Sequence, residues 1–189
     1  MPRGGERGDR LRTYVALLRG INLGARNKVA MGDLRTLLLA VGAEDVVTYV
    51  QSGNAVFKSR MGDAAALTEA IERRIGRDLG LEITVVLRTK AQLARVAAGN
   101  PFAAGESDVK KLLVTFLAET PSRARVRALD PSEFAPDEFR LVGKEVYLHC
   151  PDGYGRTKLS NAHFEKQLGV AATTRNWNTV RNLAELASS

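Results

Sequence analysis

The chain has one cysteine, Cys150, and two histidines, His149 and His163. A single cysteine excludes an internal disulfide and fits a reducing, cytoplasmic setting. A zinc site would then need carboxylates at ligand spacings that the sequence does not contain, so no metal is expected. His149 and Cys150 are neighbours on a predicted strand and point to opposite faces, which excludes a nucleophile–base pair. Cys150 reads as a small buried residue. No apolar run approaches the ~20 residues of a membrane-spanning helix. The opening "MPRGGERGDRLR" has no apolar core of a secretory signal and reads as a disordered leader over residues 1–12. No loop has the Walker A or GxGxxG pattern, and no cofactor is expected.

Charge of one sign is in excess without being concentrated. The net charge is +7, yet residues 105–189 hold twelve basic against eleven acidic side chains. Positive charge sits in short clusters: Arg19, Arg26 and Lys28, then Arg156 and Lys158. A strong nucleic-acid footprint would form a dense stripe. Nucleic acid therefore stays a weakly supported partner.

With 44% hydrophobic and 26% charged residues, the composition is that of a globular domain. "TYVALLR" (13–19) reads as a strand. Met31, Leu34, Leu37, Leu38 and Val41 recur at helical spacing, with Gly42 suited to follow the helix end. "VVTYV" (46–50) and "NAVFK" (54–58) flank a Ser52-Gly53 turn. A helix begins after Asp63, and "EITVVLR" (82–88) is a strand. Thr89 and Gln92 have capping-box form ahead of a third helix. The second half repeats the order: a strand at 111–118, a helix at 121–129 opened by Pro121, strands at 139–142 and 145–150, a helix at 160–168 capped by Ser160, a strand at 170–174 and a closing helix at 176–186. Leu159 and Phe164 form a predicted hydrophobic staple.

Both halves thus read β-α-β-β-α-β-α, whose first six elements are the ferredoxin-like order. The expected class is α+β, with two tandem ferredoxin-like units packed together: 13–99, a linker at 100–108, and 109–189. The strands at 14–18, 83–87 and 112–117 are apolar almost throughout, which predicts burial on both faces, the second against the other half.

Three polar stretches are candidate sites. In "RGINLGARNK" (19–28), glycines allow close backbone approach, and Arg19, Asn22, Asn27 and Lys28 suit an anion beside a helix start. A solvated glycine-containing connection is the plain alternative. In "QSGN", Gln51 and Asn54 either bond their own turn or add neutral hydrogen bonds to the same ligand. In "CPDGYGRTKLSN" and the adjoining "TTRNWNTV", Tyr154, Arg156, Lys158, Asn161, Arg175 and Asn178 form the third set; Trp177 reads as a core anchor. The acid pairs Glu44-Asp45 and Asp137-Glu138 read as solvated loop charges. An RNA-binding platform is disfavoured, because Asn54 stands where a stacking aromatic belongs.

"ALLRGINLGARNKVAMGDLRTLL", "VVTYVQSGNAVF", "NPF" (100–102) and "YLHCPDGYGRTKLSNAHFEKQLGVAATTRNWNTV" together resemble the bacterial family known as domain of unknown function 1697. The likeness spans roughly residues 13–187. The resemblance implies a fold and assigns no activity. One departure is Phe164, where the family pattern is more often aliphatic. The functional expectation is an anionic ligand, phosphorylated or nucleotide-like, bound in a cleft between the halves. An enzyme acting on such a ligand, or a weak nucleic-acid or protein interaction module, are the alternatives. Oligomeric state is left open.

Overall fold

The computed structural model describes residues 10–189; nine of the twelve residues of the expected leader lie outside the described residues, and Arg12 opens the first strand. The chain divides into two compact units. One runs to Leu93 and also takes Leu183–Ser189; the other is Ala94–Asn182.

Element order follows the expected repeat. The first set is β1 (Arg12–Leu18), α1 (Met31–Ala40), β2 (Glu44–Tyr49), β3 (Asn54–Ser59), α2 (Ala64–Leu79), β4 (Val85–Thr89) and α3 (Lys90–Ala98). The second is β5 (Leu112–Leu117), α4 (Arg123–Arg127), β6 (Glu138–Val142), β7 (Glu145–His149), α5 (Asn161–Leu168), β8 (Ala172–Asn176) and α6 (Trp177–Ser188). Each set forms a four-stranded antiparallel sheet, ordered β2-β3-β1-β4 and β6-β7-β5-β8. The fold is therefore α+β with two ferredoxin-like units in tandem.

Local chemistry sets most boundaries. Asp63 accepts from the amides of Ala65 and Ala66 and starts α2. Thr89 and Gln92 bond each other's amides, at 3.2 and 2.8 Å, and complete the capping box that starts α3. Ser160 accepts from the His163 amide at 3.2 Å, and Leu159 and Phe164 are both fully buried beside that cap. Asn176 caps α6, accepting from the Thr179 amide at 2.8 Å.

Four expectations shift. β4 begins at Val85, because its partner β1 ends opposite it, at Leu18; beyond that pair one bond, from the Arg19 amide to the Thr84 carbonyl, remains. α4 is shorter than expected: Ser122 is its cap, so Pro121 stays outside. β8 extends through Asn176, which puts Arg175 in a strand. Glu44 and Asp45 are strand residues at a bulge, and they pair with Arg60 and Lys58 at 3.3 and 2.8 Å.

Each central strand is buried on both faces. Tyr14, Ala16 and Leu18 of β1 join Leu34, Leu38, Leu67, Ile71 and Ile75 in one core, and the alternate residues Val15 and Leu17 are buried as well. In β5, Leu113 and Leu117 pack with Phe164 and Leu168, while Leu112, Val114 and Phe116 are also buried. Fully burying each such side chain contributes about 1.5–3 kcal/mol.

The segment between α3 and β5 is held at Glu106. Its carboxylate accepts from the Asp108 amide at 2.8 Å and faces His149 Nε2 at 3.0 Å, with Lys111 Nζ 3.7 Å away. The other ring nitrogen of His149 faces Glu138 at 3.3 Å, so Glu138 is not a freely solvated acid.

Two outcomes follow from these contacts. At Gly53 (φ +76°) an added Cβ would stand 2.5 Å from Ile21 Cδ1 and 2.9 Å from Leu18 Cβ. Gly53→Ala should lower stability by roughly 2–4 kcal/mol in urea unfolding, from overpacking plus left-handed backbone strain. The Asp108 amide above all, and then His149, hold the Glu106 carboxyl below its ordinary range. That contribution is complete above the unfolded-state value of about 4.3 and is lost as pH falls through the lower folded value. Glu106→Gln should therefore flatten the loss of stability on acidification below pH ~4, measured by urea melts at stepped pH.

Candidate functional site

The 19–28 loop joins β1 to α1 and is built by its asparagines. Asn22 (φ +54°) and Asn27 (φ +49°) take the left-handed conformation that short polar side chains tolerate. The Asn22 amide donates to the Asn27 carbonyl at 3.0 Å and closes the turn. Its side chain holds three more backbone groups. Nδ2 donates to the carbonyls of Val29 (2.9 Å) and Gln51 (2.7 Å), and Oδ1 accepts from the Val29 amide (2.9 Å). Asn27 Nδ2 donates to the Gly20 carbonyl at 3.1 Å. Both asparagines thus serve the loop itself.

The cations of this loop have a different placement. Arg26 and Lys28 are exposed and make no ion pair among the described residues. Arg19 is half-buried, and its amide donates to the Thr84 carbonyl at 2.9 Å. Lys28 stands just before α1, whose N-cap residue, Ala30, has no side chain able to bond the first-turn amides. Asp33 lies in that first turn without supplying the missing cap.

The "QSGN" turn lies beside this loop, joined to it by the Asn22–Gln51 bond. Asn54 is fully buried and donates to the Tyr49 carbonyl (3.0 Å) and Ser52 Oγ (2.9 Å), so it locks its own hairpin. The Gln51 side chain is exposed. Val50 has φ +49°, a left-handed conformation that a β-branched residue rarely adopts. The first two stretches therefore do meet. Asn54 is buried and Asn22 partly so, Asn27 is exposed but bonded to its own loop, and Arg26, Lys28 and Gln51 face solvent.

The third set divides. Thr174 Oγ1 donates to Asn161 Oδ1 at 2.6 Å, so the 2.7 Å contact with Thr115 Oγ1 has Thr115 as the donor. Burial raises the Tyr154 phenol above its usual range, partly opposed by its hydrogen bonds with Thr174 and the Asn161 backbone. Tyr154 and Asn161 thus share one network on the helix side of the second sheet. Arg175 is next to Thr174 in β8 and points to the opposite face. It is 7% exposed, donates to Thr173 Oγ1 (2.7 Å) and the Thr174 carbonyl (2.9 Å), and burial pushes its guanidinium down to about 10. Arg175 therefore lies apart from Tyr154 and Asn161. Asn178 is exposed on the first turn of α6.

Arg156 and Lys158 are exposed on a cleft of about 190 Å³, together with Glu133, Asp137 and Asp152. Three carboxylates against two cations give this cleft a net negative lining, which works against an anion. Glu133 and Asp137 come from the segment around Pro136, some twenty residues earlier. Sequence spacing gives no sign of that approach, nor of Thr115 joining Thr174 across the sheet.

Nucleophile chemistry finds little support. Cys150 is fully buried, and burial, with Asp137 nearby, raises its thiol to about 11. That keeps it protonated at neutral pH. Burial also lowers the His163 imidazole, whose Nε2 is enclosed without a hydrogen-bond partner. Among the described residues no group of three or more His, Cys, Asp or Glu is placed to hold a metal ion. No helix among them is long and apolar enough to cross a membrane.

Comparison with known proteins agrees with this fold. No curated protein matches the chain. The solved structure described as that of conserved bacterial protein SP0830 from Streptococcus pneumoniae is similar, with a TM-score of 0.74 and 23% identity over 94% of this chain and 99% of that one. At that identity the likeness speaks for the fold alone. The family model described as "Protein of unknown function (DUF1697)" matches residues 11–147, which takes in the "RGIN", "QSGN" and "NPF" stretches and ends before "RTKLSN". More than half of the chain fits that model, and the protein belongs to the DUF1697 family.

Proposed function

We propose that the first unit binds a small phosphorylated or nucleotide-like anion at the 19–28 loop and the start of α1. The observation that carries this reading is the α1 terminus left uncapped at Ala30, close after Lys28 in a loop locked by Asn22 and Asn27. Free first-turn amides and the positive end of the helix dipole attract an anion. Lys28 and Arg26 add full charges, Arg26 with planar paired donors. Gln51 offers neutral hydrogen bonds from the adjoining turn. The reading rests on the first unit alone, because the carboxylates beside Arg156 and Lys158 oppose an anion there. Binding is favoured over catalysis, because residues 19–28 and 50–54 contain no Asp, Glu or His, which leaves Asp33 of the first turn as the one carboxylate of the site.

Phosphate, pyrophosphate and nucleotides screened by thermal shift test this. A ligand at 100 times its Kd should stabilise by about 2.7 kcal/mol. Lys28→Ala combined with Arg26→Ala should weaken binding about tenfold or more, since charged hydrogen bonds contribute about 1.5–3 kcal/mol each. A screen in which no anion shifts the melt, or in which the double variant responds like the parent, rejects the proposal. Asn22→Ala tests the role of the latch. It should raise amide hydrogen exchange across 19–29 and weaken the same ligand while Lys28 and Arg26 remain; unchanged exchange would separate the latch from binding.

A further inference from the structure

The two units repeat one element order, yet their first helices differ. α1 has ten residues and buries Leu34, Leu37 and Leu38. Its counterpart α4 has five and buries none. The short helix leaves apolar surface uncovered at the end of β6, the edge strand of its sheet. A groove of about 290 Å³ results, with almost wholly apolar walls that include Pro121, Val126 and Leu141. Val126 and Leu141 are only partly buried. This groove is separate from the charged cleft of Arg156 and Lys158.

Arginines line the same groove. Three alternate along α4. Arg125 is used by the fold: it donates to the Gln167 carbonyl at 3.2 Å, at the end of α5, and lies against Gly169, where a Cβ would stand 3.0 Å from its Cζ. Arg123 and Arg127, four residues apart, share a helix side and line the groove. Both are exposed, and neither has a hydrogen bond or ion pair to another described residue. Their stems complete the apolar walls, and their exposed guanidinium heads stand outside them, which suits an apolar body carrying a negative charge.

We propose that this groove binds a free small organic anion with an apolar body, a carboxylate carried on an alkyl or aryl group. The groove of about 290 Å³ suits an apolar body of roughly ten non-hydrogen atoms. The apolar body displaces water from Val126 and Leu141, and the carboxylate accepts paired hydrogen bonds from Arg123 or Arg127. The site does not depend on the anion loop of the first unit.

The test uses the full chain and three probes: octanoate, octan-1-ol and acetate, followed by NMR of the Val126 and Leu141 methyl groups. Octanoate should move both signals saturably. Octan-1-ol, lacking the charge, should bind about tenfold more weakly, and acetate, lacking the body, should leave the signals in place. Arg123→Gln with Arg127→Gln, both at exposed positions, should bring octanoate down to the level of octan-1-ol and leave octan-1-ol binding unchanged. The proposal is overturned by equal binding of the two octyl probes, by methyl signals that do not respond, or by octanoate binding that survives the double variant. It is overturned equally by a concentration-dependent dimer that covers these methyl groups and excludes octanoate.

Discussion

Burial of the central strands on both faces is the constraint from which the rest of the structure follows. β1 and β5 have no wet side, so every alternate residue must be apolar or bring its own hydrogen-bond partner. Thr115 meets Thr174, and Arg175 folds back on Thr173 and the Thr174 carbonyl. A polar group left unpaired there would cost about 1–3 kcal/mol. These two strands therefore have no room for a site, and the groups free to meet a ligand stand on the loops, helices and edge strands around them.

Within those loops the polar residues divide into two kinds. Asparagines, whose short side chains carry a donor and an acceptor, are drawn into the backbone: Asn22, Asn27 and Asn54 each hold main-chain groups of their own or a neighbouring turn. Long cationic side chains have no acceptor to satisfy and keep their heads in water. Arg26 and Lys28 are thus presented by a framework that the asparagines stiffen. The same division recurs on α4, where Arg125 is structural and its two neighbours are free.

Much of the fold was legible because it depends on short-range signals. Alternation and run length mark the strands, and Asp63, Thr89-Gln92 and Ser160 mark helix starts through caps that operate within three residues. The extent of β8 was not legible, because a ladder partner on β5, and no local signal, carries it through Arg175 to Asn176. The site was legible only in part. That "RGIN" and "QSGN" lie together follows from strand order, which the ferredoxin-like reading already contains. That Asn54 points inward, or that Glu133 and Asp137 crowd Arg156, depends on how the chain returns from elsewhere, and no spacing rule reports it.

Val50 gives the hairpin tip a property that its neighbours lack. A β-branched residue held at positive φ sits above its relaxed energy by about 1–3 kcal/mol, and the buried Asn54 with its two bonds keeps it there. The tip is a sprung catch, fastened at one point and loaded at the next. Because the Gln51 carbonyl beside it is also the anchor for Asn22, releasing the catch would slacken the neighbouring loop in the same movement. The hairpin tip is therefore mechanically tied to the loop that presents its exposed cations.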